Sequence, residues 1–576
     1  MHTLDPSTAS QRPTLYGSRH AISSGHYLAT AAGHTILENG GNAIDAGVAA
    51  GIALGVLCSN EVNVAGVAPI LIRTAAGETV SIAGLGTWPM SIPADLFQRE
   101  HAGAMPYGVL MTVVPAAPDA WITALRDYGT MSFGEVSSEA IRFARQGFAI
   151  YDYFAEEVAE MEQEYRAWDA NRRIYLPAGR PPRVGERFVQ NDLADTLQYM
   201  VDQERTAAHR GRAAGLEAAR DAFYVGDIAA KIVAYQEANG GFLTRDDLAT
   251  YHARYEPVVH TRWRDFDVLT CDAWCQGPAF AHALAMLERH GLGTLKHNSL
   301  DYAHLVTEVL KAVFADREYR YGDPRFVDVG LGELFSDDHL DARLADISMS
   351  QAHPGMPRPI GAMEGIEALI PSPAASGSAG RAPDTSYVCV IDRWGNAFSA
   401  TPSDGSYEAP VVPGTGIVPS SRGVQSRPDP RHPSGVGPGR RPRLTPNPAM
   451  AVRDDGSVLA FGCPGGDMQI QAMLQVFLNI FHFGMDVQAA IDAPRFSTWS
   501  FPNSFAPFEF LDGRMALENR FDEPTLDGLR ARGHDVEVWP PFTRSAAAVE
   551  AIYRDASTGF LRAGADPRQP AWAVVS

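Results

Sequence analysis

Cysteine is scarce in this chain of 576 residues: there are five, Cys58, Cys271, Cys275, Cys389 and Cys463. An odd, scattered set is no disulfide framework. Cys271 and Cys275 lack a second ligand pair at zinc spacing, so no metal site is expected, and no motif calls for an organic cofactor. Positive charge is scarce too. The 48 Lys and Arg against 68 Asp and Glu leave a net charge of −20. Nucleic acid and anionic membrane both need a basic footprint, so neither is an expected partner. Long apolar runs are missing. The longest, residues 46–58, contains Gly47, Gly51 and Gly55 and is too short to span a bilayer. Residues 1–13 are polar, without the apolar segment of a signal peptide, and the expected location is the cytoplasm.

What is present is a globular composition, 45% hydrophobic and 20% charged, in a chain too long for one ordinary core. Residues 25–39 read as a helix, with Leu28, Ala32 and Ile36 on one face and Gly40-Gly41 as the stop. Residues 43–57 are apolar nearly all round, the pattern of a buried helix packed through small residues. Residues 69–74 and 79–83 are strand-like. From about residue 114 to 310 the pattern is mainly helical, with one strand-like stretch at 260–270. A further helix at 302–319 is capped by Asn298-Ser299. Residues 353–384 are rich in Pro, Gly, Ala and Ser and are expected to stay mobile. A hairpin follows, 387–391 and 397–401 around Trp394-Gly395-Asn396, then a strand pair at 450–452 and 458–462. Cys463-Pro464-Gly465-Gly466-Asp467 leads into an amphipathic helix carrying Ile470, Met473, Leu474, Phe477, Leu478 and Phe481 on one face. A helix at 523–532 and strands near Val536 and Val549 complete the order. It predicts helices packed on mostly antiparallel sheets.

The chemistry is expected where the loose tract ends, at Asp384-Thr385. If the chain is cut there, Thr385 becomes an N-terminal nucleophile. A threonine hydroxyl needs a base within reach, and a freed α-amino group with a pKa of about 7.7–8.0 supplies one. Before cleavage the same hydroxyl can attack the Asp384 carbonyl, helped by a mobile leader at 374–383. A threonine opening a strand is also an ordinary strand residue, and composition alone leaves both readings open. Gly465-Gly466, between strand and helix, reads either as a plain turn or as backbone N–H groups aimed at an oxyanion. Ser403 lies where the hairpin returns toward Thr385, or is a solvated turn serine beside Asp404-Gly405.

Together these pieces resemble the γ-glutamyltransferase family of N-terminal-nucleophile hydrolases. The resemblance rests on Gly40-Gly41-Asn42-Ala43-Ile44-Asp45-Ala46, Phe223-Tyr224-Val225-Gly226, the stretch from Gly241 to Leu248, and Gln276-Gly277-Pro278. It continues through Phe314-Ala315-Asp316-Arg317, Gly322-Asp323-Pro324, Asp384-Thr385 with Asp392 and Gly395-Asn396, Gly414-Thr415-Gly416-Ile417, Pro464-Gly465-Gly466, and Asp492-Ala493-Pro494-Arg495. It implies an α+β fold, a four-layer αββα sandwich with an additional helical region. It implies autocleavage between Asp384 and Thr385 into a large subunit, 1–384, and a small one, 385–576. Thr385 would be the nucleophile, Ser403 its assisting hydroxyl, and Gly465 and Gly466 the oxyanion hole. A small-molecule amide is the implied substrate, and a homo-oligomer is left open.

The departures bear on substrate. The family's R-E-x-A-P element, whose arginine holds the γ-glutamyl carboxylate, is replaced by Gly84-Leu85-Gly86-Thr87-Trp88-Pro89. A carboxylate without that bidentate partner loses on the order of 1.5–3 kcal/mol. Gly405 stands for the asparagine beyond the second threonine, Ser420-Ser421-Arg422-Gly423 for the N-N-Q-M-D-D loop, and Leu444 and Thr445 for the paired serines. Residues 406–413 are inserted. Ser421-Arg422-Gly423 and Gly466-Asp467 look more like the amidohydrolase and acylase branch, which includes oxamate amidohydrolase and certain cephalosporin acylases. There Arg422, Asp467 and Thr445 are the expected substrate contacts, with Arg422 read either as an anion contact or as a solvated loop arginine. The expected activity is therefore a self-processing amidohydrolase. The rivals are a genuine γ-glutamyltransferase or glutathione hydrolase, and an uncleaved, inactive binding homologue.

Overall fold

Alternate residues of the strand Val388–Ile391 enter two different cores. Val388 and Val390 join the core around the helix Ala43–Leu57, whereas Cys389 and Ile391 join side chains of a second sheet. Side chains on a strand alternate faces, so a run buried at every position must be covered on both sides. The strand Ile70–Arg73, two places along the same sheet, repeats this, with Ile70 and Ile72 on the helix side and Leu71 between the sheets. In the opposing sheet Leu459 and Phe461 face a second helical layer and Val458 and Ala460 face inward. The result, in this computed structural model, is a four-layer αββα sandwich of the α+β class. Residues 10–361, 365–374 and 384–576 are described. Most of the expected leader, residues 375–383, lies outside them.

Among the described residues both central sheets have seven strands, paired antiparallel throughout. One runs Trp572–Val575, Ala21–Ser24, Val388–Ile391, Ala397–Ala400, Ile70–Arg73, Thr79–Ala83, Arg254–Glu256. The other runs Leu15–Gly17, Leu561–Ala565, Glu550–Arg554, Val458–Gly462, Ala449–Arg453, Phe266–Thr270, Val259–Trp263. The strands on either side of Asp384-Thr385 thus mix early and late segments of the chain.

The helix Ala43–Leu57 is buried along its whole length. Glycine is needed on it: a Cβ at Gly47 would come within 2.2 Å of the Phe398 ring, and one at Gly51 within 2.6 Å of Trp121. Asn42 and Asp45 form a reciprocal cap at its start. The Asp45 carboxylate also accepts from Thr130 N at 2.8 Å and Met131 N at 3.0 Å. Ala43 N donates to Asp392 at 2.9 Å, which ties the helix to the hairpin turn after Val388–Ile391. The Gly-Gly-Asn-Ala-Ile-Asp-Ala motif is therefore a fastening for the strand that follows Thr385.

Several expectations shift in detail. The predicted strand at 260–270 is a hairpin, Val259–Trp263 and Phe266–Thr270, because Arg264 takes a left-handed φ of 52° and reverses the chain. The helix predicted at 302–319 spans Leu300–Arg320, with Ser299 as its cap. The described part of the Pro/Gly-rich tail is fastened at both ends: His353 N donates to Glu308 at 2.9 Å and Ala374 N to the Phe510 carbonyl at 2.8 Å. Among the described residues no helix is long and apolar enough to cross a membrane.

Candidate active site

Thr385 forms an isolated antiparallel bridge to Ser403, which in turn bridges Val67. Ser403 N donates to the Val67 carbonyl at 3.0 Å and Val67 N to the Ser403 carbonyl at 3.3 Å. The backbone at Gly66 comes so close that a Cβ there would lie 2.2 Å from the Ser403 carbonyl oxygen. These contacts fix Ser403 without using its side chain. Its hydroxyl lies 2.7 Å from Thr385 Oγ1 and donates to the Asp384 carbonyl oxygen at 2.5 Å. Thr385, Ser403 and Asp384 are all buried. The hydroxyl read as the nucleophile and the carbonyl of the bond before it share one serine.

Arg422, at the start of the short 3-10 turn Arg422–Gln425, is fully buried and not a solvated loop residue. Its Nη1 faces the Asp384 carboxylate at 2.8 Å and its Nε faces Asp404 at 3.2 Å. Its Nη2 donates to the Asp384 carbonyl at 3.2 Å and also to Ser403 Oγ. Burial alone would lower the Arg422 pKa, but the carboxylates of Asp384, Asp404 and Glu408 raise it instead. Acids outnumber cations here. Burial pushes the Asp384 carboxyl up to about 7 against the pull of Arg422, with Glu408 adding to the push. Burial likewise raises Asp404, again opposed by Arg422. Nearby, burial raises Glu61 well above the ordinary range and Glu157 to about 8.

Asp404 was not foreseen. Beside Gly405 it reads as a turn residue, yet it is fully buried with φ of 119°, a region that disfavours non-glycine residues. It accepts from Ser420 Oγ at 2.7 Å and Ser421 N at 3.1 Å, and it steadies Arg422. The adjacency of Asp404 and Ser403 in sequence was the available signal. Glu408, 2.7 Å from Ser421 Oγ, comes from the insertion and had no signal.

Gly465 and Gly466 turn from the strand Val458–Gly462 into the helix Met468–Phe481 with φ of 119° and 56°, which explains the glycine pair. Phe505 links this turn to Arg422: its ring lies 3.3 Å from where a Gly466 Cβ would stand and 5.5 Å from the Arg422 guanidinium. Asp467 is occupied. Its carboxylate pairs with the buried Arg317 and accepts from Ser504 N and Oγ, each at 2.7 Å. It clamps the turn and leaves little capacity for a ligand. Thr445 Oγ1 accepts from Gln425 at 2.8 Å. Gln276 spans the two sides, donating to the carbonyls of Thr445 and Gly466, both at 2.9 Å. Gln276 and Arg317 belong to quoted motifs, but their place behind the turn was not legible.

The stretch without the family's arginine is tightly packed at its two glycines. A Cβ at Gly84 would lie 1.9 Å from the Ala68 carbonyl oxygen, and one at Gly86 would lie 1.6 Å from that of Val114. Trp88 is buried beside it, donating to Ser426 Oγ at 2.9 Å and abutting Gly423. Among the described residues three clusters elsewhere could present three metal-ligand atoms: His20 with His34 and Glu38, His282 with Asp316 and His339, and His304 with Glu308 and His534. In each the acid already pairs with a protein cation, Arg19, Arg343 and Lys311 respectively. All five cysteines are free.

An αββα sandwich with a hydroxyl nucleophile candidate at the head of a central strand defines the N-terminal-nucleophile class of amide hydrolases. The sequence profile of gamma-glutamyltranspeptidase matches residues 29–576, and the chain belongs to that family. It is 30% identical to the "Acylase ACY 1 proenzyme" of a Pseudomonas species over 95% of this chain and 91% of that protein. It is 29% identical to the "Glutathione hydrolase-like YwrD proenzyme" of Bacillus subtilis over 97% and 99%. The structure of cephalosporin acylase from Bacillus halodurans superposes with a TM-score of 0.83 at 28% identity, covering 100% of this chain and 98% of that one.

Proposed function

We propose that the chain is a precursor that cuts itself between Asp384 and Thr385 and then hydrolyses a small amide through Thr385. The observation that carries this is the placement of Ser403 Oγ, 2.7 Å from Thr385 Oγ1 and 2.5 Å from the Asp384 carbonyl oxygen. Cleavage yields a large subunit, 1–384, and a small subunit, 385–576. The freed α-amino group of Thr385 takes the hydroxyl proton as the oxygen attacks the substrate carbonyl, then passes it to the departing amine. Backbone N–H groups at Gly465 and Gly466 hold the oxyanion, in a turn stiffened by Asp467, Arg317 and Gln276. Water opens the resulting ester and releases the acid. Release of Asp384 frees Nη1 of Arg422, which then serves as an anion contact for the acyl group. The cytoplasm is the proposed location.

The acylase reading is preferred over γ-glutamyl transfer because residues 84–89 carry no arginine to hold a carboxylate. The Pseudomonas relative, an acylase proenzyme, agrees with it, whereas the Bacillus subtilis relative is named for the rival activity. Denaturing electrophoresis and N-terminal sequencing test the proposal. Two fragments are expected, the smaller beginning at Thr385, and Thr385→Ala should leave one full-length band and no amide hydrolysis. A wild-type chain that stays whole on long incubation would refute it, and glutathione turnover at the rate of its best amide would refute the choice of branch.

A further inference from the structure

We infer that Arg422 stabilises the negative charge that develops on the Asp384 carbonyl oxygen while the chain cuts itself, so that processing uses an oxyanion site distinct from the Gly465-Gly466 turn. This rests on the self-processing proposed above. Among the described residues, the side-chain donors to that carbonyl oxygen are Ser403 Oγ at 2.5 Å and Arg422 Nη2 at 3.2 Å. A guanidinium directed at a carbonyl in a buried, low-dielectric site is a preorganised donor of the kind that stabilises an oxyanion. Arg422 is flanked on three sides: Nε faces Asp404 at 3.2 Å, Nη1 faces the Asp384 carboxylate at 2.8 Å, and the Phe505 ring lies 5.5 Å from the guanidinium. Asp404 is itself fixed by Ser420 and Ser421 in a backbone conformation that disfavours its residue type.

The hydroxyls complete the step. Ser403 gives its single proton to the Asp384 carbonyl, so Thr385 Oγ1, 2.7 Å away, donates to Ser403. Thr385 Oγ1 bonds to the Asp384 carbonyl carbon as its proton moves to Ser403 Oγ, which passes its own proton toward the carbonyl oxygen. The C=O electron pair goes to that oxygen, where Arg422 stabilises the negative charge as it develops. On collapse the C=O re-forms, the bond from that carbon to Thr385 N breaks, the same proton returns through Ser403 to the nitrogen, and an ester on Thr385 Oγ1 remains. Water then adds to the ester, forming the Asp384 carboxylic acid and restoring the Thr385 hydroxyl. The net reaction is peptide plus water to carboxylate and ammonium. Once Asp384 departs, Arg422 no longer faces a reacting carbonyl from the chain itself.

The test is the rate at which full-length chain converts to two fragments. Removing one oxyanion donor costs about 100- to 1,000-fold in rate, so Arg422→Gln should accumulate uncut chain by at least about 100-fold. Arg422→Lys keeps the charge but loses the fork that serves Asp384, Ser403 and Asp404 together, and should be intermediate. For Arg422→Ala, millimolar guanidinium should restore cleavage, a response that a purely structural arginine would not give. Cooperative melting establishes that each variant is folded; should Gln or Ala fail to fold, the Lys variant decides. Cleavage of a folded Gln or Lys variant within about threefold of wild type would overturn the inference, since a lost donor is worth far more. That outcome leaves self-processing intact. Absence of a Thr385 fragment from the wild type defeats both.

Discussion

Two buried ion clusters lie near the candidate site, and they are opposite in balance. Around Arg422 one guanidinium meets Asp384 and Asp404, with Glu408 close by. Around Glu318 one carboxylate meets Arg427 and Arg443, each through a 2.7 Å hydrogen bond, and His432 at 3.6 Å. Burial disfavours charge in both, but neighbours decide the outcome. Burial raises Asp384 to about 7 because the surplus charge nearby is negative. Burial would raise Glu318 too, yet Arg427 and Arg443 hold it well below the ordinary range. Burial pulls Arg427 down to about 10, whereas its acids raise Arg422. The arginine-rich cluster is a clamp: Arg443 also donates to the Arg317 carbonyl at 3.2 Å, and Arg317 grips Asp467 behind the glycine turn. The acid-rich cluster contains the bond proposed to be cut, and the proposed release of Asp384 would relieve it.

The same neutralising substitution should therefore have opposite effects in the two clusters. Both are best measured by chemical denaturation in a Thr385→Ala background, in which the proposed cut is blocked. Glu318→Gln leaves buried arginines without their acid and should destabilise by about 3–5 kcal/mol. A change under about 1 kcal/mol would deny the clamp, given the usual penalty for an orphaned buried charge. Asp384→Asn removes a surplus carboxylate and should stabilise at pH 8, by on the order of 1 kcal/mol. Destabilisation there would erase the contrast.

The pH dependence sharpens the same point. Asp384 binds its proton more tightly folded, near pH 7, than unfolded, near about 4. Stability from this group is thus complete below about pH 4 and is lost as pH rises through about 7. Glu157, raised to about 8, acts in the same direction. The uncut chain should be less stable at pH 8 than at pH 6, and Asp384→Asn should flatten that slope. A slope of the other sign would mean that Arg422 alone governs Asp384. The smallest effect belongs to exposed pairs. Arg262 and Asp454, 2.9 Å apart but mostly solvated, should tolerate Asp454→Asn with no measurable shift in the denaturation midpoint.

Much of this arrangement was legible because it is local. The apolar run 43–57 and the alternation in 458–462 are periodic, and their elements form where the period places them. Gly465 and Gly466 announced a turn that needs positive φ. Thr385 and Ser403 were legible as partners because a hairpin returns one beside the other. Arg422 was the ambiguous residue, since a loop arginine looks alike whether solvated or buried among acids.

The sequence by itself determined the strands and helices, the glycine turn and the ordered motifs that mark the family, because each depends on neighbours a few positions apart. Tertiary structure decided which charges meet. Arg317 and Asp467 lie 150 positions apart, and Arg422 reaches Asp384 across 38. Whether a buried carboxylate is clamped or burdened depends on the sum of charges brought around it by folding, and no local pattern records that sum.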